Sequence, residues 1–258
     1  MQLIDQVPIW LVIVLTFGVT SLAFELGFRA GVWRSRNRPK EDDKSLGALV
    51  GGLLGLLAFM LAFTTGFALN QYINRKSLVI QDANSIGTTY LRTDFLPPDD
   101  GDAAKALLRE YTDIRIAAAS ASDISRAVAR TREIQDELWA IAVRNGNATP
   151  DSEVVGLFID ALNTMIDTHT ERVTFTQGAR VPSLMWGLLY GLSIVSFLMT
   201  GVQSSHDGKR NLLAMLLFTL GFSAVIVLII ELDRSQQGLL TVSQQALLDL
   251  QQQLNAAP

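Results

Sequence analysis

Three phenylalanines lie at intervals of four residues in the second apolar stretch of the chain, at positions 59, 63 and 67. Because four residues turn an α-helix by about 400°, the three rings would form one stripe that drifts by only about 80°. In a symmetric oligomer whose second helices surround a central axis, Phe59, Phe63 and Phe67 would form stacked apolar rings. Such a constriction conducts ions only when it is wetted. Asn70 and Gln71 would then offer polar groups at its mouth.

Three glycines with the same spacing, Gly47, Gly51 and Gly55, precede the phenylalanines. Small residues four apart allow two helices to approach closely, because no side chain separates their backbones. The simpler interpretation of this stretch is therefore a seam for helix packing, with the phenylalanines facing lipid or protein. The alternative interpretation is the oligomeric constriction. We expect bulky residues at Gly51 or Gly55 to disturb packing or assembly.

The remaining polar residues do not form a recognisable catalytic or metal-binding pattern. The chain has no cysteine and only two histidines, which leaves few zinc ligands and excludes thiol chemistry. No nucleophile, base and oxyanion donors can be seen to converge, so we predict neither an enzyme nor a cofactor. The net charge of −4 and the lack of a basic stripe argue against a nucleic-acid partner.

A few ionisable residues still need an interpretation. Asp99, Asp100 and Asp102 follow two prolines and indicate a solvated turn with Asp102 as a helix cap, rather than a calcium site. His169 lies between acidic residues on a predicted helix, where an exposed surface histidine is expected.

The first apolar stretch contains a carboxylate, Glu25, with Arg29 four residues later. Residues at this spacing are neighbours on a helix surface, so the two side chains can form an ion pair. We interpret them as a local structural pair that reaches the lipid headgroups rather than as a proton or ion relay.

The chain as a whole has the layout of a multi-pass membrane protein. Four apolar runs, at residues 8–30, 46–69, 183–202 and 212–232, are each close to the ~20 residues that cross a bilayer. We predict an all-α fold with a four-helix transmembrane domain and a helical-bundle extramembrane domain inserted between the second and third spans. The domains would be residues 1–69 and 183–232 for the two transmembrane pairs, 70–182 for the helical domain and 233–258 for an amphipathic C-terminal helix.

Apolar residues at helical spacing predict four segments within the helical domain. The first, residues 70–89, would continue the second span beyond the bilayer. A later segment would stop at residues 145–147, and the next would begin with Thr149 as its cap and Pro150 in its first turn. In the C-terminal segment, Leu240, Leu247, Leu250 and Leu254 have heptad-like spacing. These leucines could pack on the bundle of their own chain or form a contact between subunits.

Lysines and arginines indicate the orientation of the spans. Seven lie in the loops between the first two spans and between the last two, whereas five are spread over the opposite flanks. The positive-inside rule then places both termini and residues 70–182 outside the cytoplasm, in a protein of the cell (inner) membrane. The seven are Arg34, Arg36, Arg38, Lys40, Lys44, Lys209 and Arg210, and the five are Arg75, Lys76, Arg172, Arg180 and Arg234.

Residues 81–92, QDANSIGTTYLR, resemble the most recognisable part of the bacterial bestrophin-like proteins, a family related to the bestrophin anion channels. The run Asn70, Gln71, Tyr72, with Asn74 after it, is similar to the segment that follows the pore-lining helix of bestrophins. The four-span layout with a helical insert also matches. The resemblance implies a homo-oligomeric channel for a small anion, with the second span near the central axis.

Two features depart from the bestrophin pattern. With the Asn-Gln-Tyr runs in register, only Phe59 falls on a constriction position, and the other two positions fall on Gly51 and Gly55. Bestrophins also keep their termini and helical domain in the cytosol, opposite to the orientation that the charges predict. The alternative function is a non-conducting membrane protein whose helical domain binds a partner or senses envelope conditions. The partners expected are the lipid bilayer and further copies of the chain.

Overall fold

The computed structural model describes residues 8–37, 44–117, 124–178, 180–206, 212–234 and 240–256. Within these ranges the chain forms α-helices, one 3-10 turn at Thr93–Phe95 and connecting turns, without a strand. The predicted all-α class is therefore confirmed. The helices are α1 (Ile9–Asn37), α2 (Lys44–Arg92), α3 (Pro98–Ala117), α4 (Ile124–Ala148), α5 (Glu153–Gly178), α6 (Ser183–His206), α7 (Leu212–Asp233) and α8 (Gln245–Ala256).

Four of the described helices are long and apolar enough to cross a membrane, as predicted. By length and composition these stretches are Ile9–Arg36, Ser45–Phe95, Ser183–Ser205 and Met215–Asp233. Helix α2 has 49 residues, about twice the length that a bilayer requires. The prediction that the second span continues as a helix through residues 70–89 is confirmed.

The chain divides into two compact units, here called the span unit and the helical unit. In the span unit, α1 packs against α6 and α7 around apolar side chains such as Phe197, Ile226 and Ile229. The span unit comprises Met1–Tyr72 and Arg180–Thr241, and the helical unit comprises Ile73–Ala179 and Val242–Pro258.

Several hydroxyl groups within the membrane spans donate hydrogen bonds to carbonyls of their own helices. Thr20, Thr64, Ser193, Thr200 and Thr219 each donate to the carbonyl four residues earlier, at 2.6–2.9 Å. Because hydrocarbon offers no hydrogen-bond partners, this local bonding allows polar residues to lie in a span without a second polar group nearby.

The helical unit has its own apolar core, to which α8 contributes. Tyr111 and Phe158 are fully buried there, and α3 packs against α4 and α8. Leu247, Leu250 and Leu254 are buried in the same core, which confirms for these three that they pack on the bundle of their own chain, whereas Leu240 is exposed. The helix is shorter than the predicted 233–258 segment, since residues 240–244 are not helical and α8 begins at Gln245.

The predicted turn at Asp99 and Asp100 and the predicted cap at Asp102 are wrong, because α3 begins at Pro98 and includes all three residues. Proline suits the first turn of a helix, where a backbone N–H has no partner within the helix in any case. The amide of Gly101 donates to the Pro97 carbonyl at 2.8 Å, so the helix is already formed at this point.

The predicted boundary between α4 and α5 is also wrong. Helix α4 continues through Gly146 to Ala148, and the Thr149 amide donates to the Asn145 carbonyl, as at a helix end. Helix α5 begins at Glu153, and the Ser152 hydroxyl accepts from the Val155 amide at 3.4 Å. Ser152 therefore caps α5, and the predicted cap at Thr149 is wrong.

Candidate functional site

One face of α2 is exposed over most of the length of the helix. Exposed residues recur every three or four positions, which is the spacing of one side of an α-helix. We call this face the α2 stripe. Its residues are Gly51, Gly55, Phe59, Phe63, Gly66, Asn70, Ile73, Ser77, Ile80, Asn84, Thr88 and Leu91.

The two phenylalanines of the α2 stripe form an apolar surface. Phe59 is 64% exposed and Phe63 is 55% exposed, and their rings stack with centroids 6.4 Å apart. Asn70 is exposed about 20° around the helix from Phe59, on the same face. An apolar segment is thus followed by a polar group along one line of the helix.

Phe67 and Gln71 lie away from the centre of this face. Phe67 is rotated by about 80° from Phe59, is half-buried and packs against the core of the span unit. Gln71 is rotated by about 120° and is also half-buried. Among the five predicted constriction and mouth residues, Phe59, Phe63 and Asn70 therefore share one exposed face.

The predicted packing glycines differ in their surroundings. Apart from its own helix backbone, a Cβ atom at Gly51 or Gly55 would have no atom of the described residues within 4 Å, whereas one at Gly47 would lie 3.4 Å from the Gln203 side chain. Gly51 and Gly55 are exposed, so none of the described residues of this chain makes a close contact at these positions.

A tight glycine contact within the chain occurs instead between α1 and α6, and the sequence analysis missed it. A Cβ at Gly27 would overlap the Leu198 carbonyl, and one at Gly201 would overlap the Phe24 carbonyl. Gly31 is in similar contact with α6. Gly27 and Gly31 are four residues apart, like the glycines of α2, and this spacing could have predicted the contact.

Asp82, within the segment 81–92, is a charged residue buried in the helical unit. Its carboxyl oxygen Oδ2 accepts from Arg115 Nε at 3.0 Å and from Arg115 Nη2 at 2.8 Å, and also from Arg172 Nη1. Arg172 Nη2 donates to the Gln244 side chain at 2.8 Å. The segment therefore ties α2 to α3, α5 and the residues before α8. The available signal was the position of Asp82 on the same helical face as Val79 and Ile86.

The prediction that His169 is an exposed surface residue is wrong, since only 5% of its surface is accessible. Its ring lies edge-on to Tyr111, with centroids 6.2 Å apart. Burial lowers the pKa of His169 to about 4, and repulsion from Arg115 contributes to the shift. The acidic residues beside His169 in sequence suggested that it is exposed, but His169 lies on the face of α5 that packs into the core of the helical unit.

The other ionisable residues have structural roles. Arg29 Nε donates to Glu25 Oε1 at 2.8 Å, which confirms the predicted local pair. Asp100 accepts from the Asn145 amide at 2.7 Å and from Arg144, and these hydrogen bonds, chiefly that from Arg144, lower the pKa of Asp100. Asp100 thus joins the start of α3 to the end of α4.

The four spans, the long second helix and the segment 81–92 are features that the chain shares with a known family. A family model described as the bestrophin-like domain matches residues 14–247. The chain belongs to the bestrophin-like family. The predicted resemblance is therefore confirmed, and the matched range of this bestrophin-like chain contains the α2 stripe and the Asp82 contacts. No curated protein and no solved structure matched the chain.

Proposed function

We propose that this bestrophin-like protein is a homo-oligomeric channel for small anions, in which α2 helices from several copies surround a central axis. The observation that carries the proposal is the α2 stripe, which stays exposed from Gly51 to Leu91. At a rise of about 1.5 Å per residue this face is about 60 Å long. A face of this length suits a pathway that crosses a bilayer and continues beyond it.

The chemistry of the α2 stripe supports a dewetting constriction. Gly51 and Gly55 leave room for close approach between helices, and the stacked rings of Phe59 and Phe63 follow them. Beyond Asn70 the stripe mixes amide and hydroxyl groups with isoleucine and leucine, and it carries no charged side chain. An uncharged pathway has no fixed charge that would trap an ion, so passage would depend on wetting of the phenylalanine rings.

Ion flux and stability together test the role of Phe63. We expect Phe63→Ala to raise anion flux in liposomes, because a smaller apolar side chain lowers the barrier to wetting. Phe67→Ala is the matched control on the same helix, and it should mainly lower the unfolding temperature, because Phe67 packs on the core. Flux that is absent from both wild type and Phe63→Ala, in a folded and oligomeric preparation, would contradict the channel.

We further propose that the helical unit lies outside the cytoplasm, on the basis of the lysine and arginine distribution. Arg38, Lys40, Lys209 and Arg210, which contribute to that distribution, lie outside the described residues. Because the chain has no cysteine, a single Asp99→Cys can be probed with an impermeant thiol reagent in intact cells. Asp99 is exposed in the first turn of α3 and should react without permeabilisation.

The control for orientation is Arg36→Cys, at the exposed end of α1. We expect Arg36→Cys to react only after the membrane is opened. The reverse pattern, with Asp99→Cys protected and Arg36→Cys labelled, would instead place the helical unit in the cytosol.

A non-conducting protein that binds a partner is the second candidate, and one feature of the helical unit favours it. Leu91 is 70% exposed, and Phe95, four residues later, is 44% exposed. Neighbouring apolar side chains on a surface are groups that a partner protein would cover. A folded oligomer without ion flux, in which Leu91→Ser abolishes capture of a partner, would support this candidate.

A further inference from the structure

One face of α1 is exposed from residue 15 to residue 36 and ends in charged and aromatic side chains. Its exposed residues are separated by alternating steps of four and three positions, so they follow one side of the helix. We call this face the α1 stripe. It begins with four apolar residues and ends with an arginine, a tryptophan and a second arginine. Its residues are Leu15, Val19, Leu22, Leu26, Arg29, Trp33 and Arg36.

The α1 stripe lies opposite the contact between α1 and α6. That contact uses Gly27 and Gly31, and Arg29 lies about 200° around the helix from each of them. The side chain of Arg29 is 72% exposed, and Trp33 is 69% exposed. The described part of the span unit therefore leaves this side of α1 open to lipid.

The length of α1 places Arg29 and Trp33 near one surface of the bilayer. Trp10, close to the start of α1, is also exposed, and tryptophan favours the boundary between hydrocarbon and headgroups. At a rise of about 1.5 Å per residue, Trp10 lies about 35 Å along the helix from Trp33 and about 29 Å from Arg29. Because the hydrocarbon core is ~30 Å thick, the long side chain of Arg29 can reach the headgroups.

Arg29 keeps hydrogen-bond donors for a ligand. Its Nε donates to Glu25 Oε1 at 2.8 Å, whereas Nη1 and Nη2 have no acceptor among the described residues. A guanidinium group can donate two parallel hydrogen bonds to a phosphate, which an ammonium group cannot match in geometry. The two terminal nitrogens of Arg29 are therefore suited to the phosphate of a lipid.

The end of α1 that carries Arg29 is positively charged. Residues 25–44 contain six basic and four acidic side chains, an excess of two positive charges however these side chains pair. Residues 1–14, around the other end of α1, contain one acidic and no basic side chain. An anionic headgroup is therefore attracted to one end of α1 only.

We propose that the α1 stripe binds an anionic phospholipid, such as phosphatidylglycerol, in preference to a zwitterionic one. Nη1 and Nη2 of Arg29 hold the lipid phosphate, and Arg36 adds positive charge beside the headgroup. Trp33 contacts the glycerol region, and an acyl chain lies along Leu26 and Leu22. The proposal depends neither on conduction nor on which side of the membrane holds this end of α1.

Quenching of tryptophan fluorescence by brominated lipids tests the site. Replacing Trp10, Trp139 and Trp186 by phenylalanine leaves Trp33 as the only tryptophan. This variant is reconstituted in mixed bilayers of phosphatidylglycerol and phosphatidylcholine, with bromine on the acyl chains of one lipid at a time. We expect phosphatidylglycerol to bind beside Trp33 about fivefold more strongly, the factor that one arginine near an anionic headgroup supplies.

Equal quenching by the two lipids would overturn the proposal. Quenching by neither lipid would also overturn it, because another subunit would then cover Trp33.

Two comparisons assign the preference to Arg29. In the Trp33 variant, Arg29→Gln should bring the ratio of the two binding constants close to one, and Arg29→Lys should retain only part of it, because lysine keeps the charge without the paired donors. The matched control keeps Trp10 as the only tryptophan, and there the two lipids should quench equally. A ratio that Arg29→Gln leaves unchanged, or an equal preference at Trp10, would contradict the site.

Native mass spectrometry keeps the proposal testable if the tryptophan replacements do not fold. Delipidated wild type in detergent is titrated with phosphatidylglycerol or phosphatidylcholine. We expect phosphatidylglycerol adducts at about fivefold lower lipid concentration, and Arg29→Gln should remove the difference. Arg132→Gln is the control, since it makes the same change of charge on the exposed surface of α4 in the helical unit. Equal losses in Arg29→Gln and Arg132→Gln would contradict a site on α1.

Discussion

Gly201→Ala should reveal how tightly α1 and α6 pack. Gly201 lies against the backbone of α1, where an added Cβ would overlap the Phe24 carbonyl and lie 2.8 Å from the Phe28 nitrogen. Both neighbours are backbone atoms, so neither can move aside by changing a rotamer. The methyl group therefore has to push the two helices apart. At Gly191, on the same helix, an added Cβ would meet no atom of the described residues within 4 Å beyond its own helix backbone.

Two contributions decide the difference in stability between the variants: a gain in helix propensity, which both have, and a packing cost, which only Gly201→Ala has. Replacing glycine by alanine within a helix gains about 1 kcal/mol from backbone propensity, and this gain applies to both positions. Inserting bulk into a packed contact costs about 1–3 kcal/mol, and this cost applies only to Gly201. We expect Gly191→Ala to match or exceed wild type in stability. Gly201→Ala should be less stable than Gly191→Ala by about 1–3 kcal/mol.

Thermal unfolding in detergent, followed by circular dichroism, measures this difference. Size-exclusion chromatography with light scattering shows whether the assembly changes as well. We expect Gly201→Ala to melt at a lower temperature than Gly191→Ala and to keep the same oligomeric size, because the contact lies within one chain. Equal melting temperatures for Gly201→Ala and Gly191→Ala would refute the close approach of α1 and α6.

Three further predictions concern the helical unit. Because the folded pKa of His169, about 4, lies below the unfolded value of 6.5, stability should fall as pH drops from about 6.5 towards 4. Thermal unfolding of His169→Gln across this range should show a smaller loss than wild type. Ser152→Ala should cost about 1 kcal/mol as a lost helix cap, whereas Thr149→Ala should cost less in the same unfolding assay. Leu247→Ala should lower the free energy of unfolding by about 2–5 kcal/mol and leave the oligomeric size unchanged.

The regular elements of the fold could be predicted because their signals are local. A run of about 20 apolar residues marks a span by length alone, and the helical spacing of Leu108 and Tyr111 marks a buried face. The errors fall at boundaries, where short-range signals compete. Thr149 with Pro150 and Ser152 with Glu153 are both plausible helix starts, and the structure shows that the helix begins at the second.

Burial of single charged residues was harder to predict, because it depends on partners far apart in sequence. His169 has acidic neighbours along the chain, but in the fold it lies among Tyr111, Arg115 and Asp82. Asp82 likewise has its partners at positions 115 and 172. An acidic residue on an apolar helix face indicates that a partner exists, since a lone buried charge is costly, but it does not identify that partner.

The spacing of small residues identifies a helix that another helix can pack against closely, but it does not identify that packing partner. Gly27 with Gly31, and Gly51 with Gly55, have the same four-residue interval, and the fold treats them differently. The first pair contacts α6 of the same chain, whereas a Cβ on the second pair would meet no atom of the described residues within 4 Å beyond its own helix backbone. A groove lined by glycines contributes to helix association in a bilayer only when another helix packs into it. The stripe that begins at Gly51 also carries Ile80 and Leu91 well beyond the length of a span, where lipid cannot cover them. Further copies of α2 around a central axis would meet both requirements, which supports the proposed oligomer.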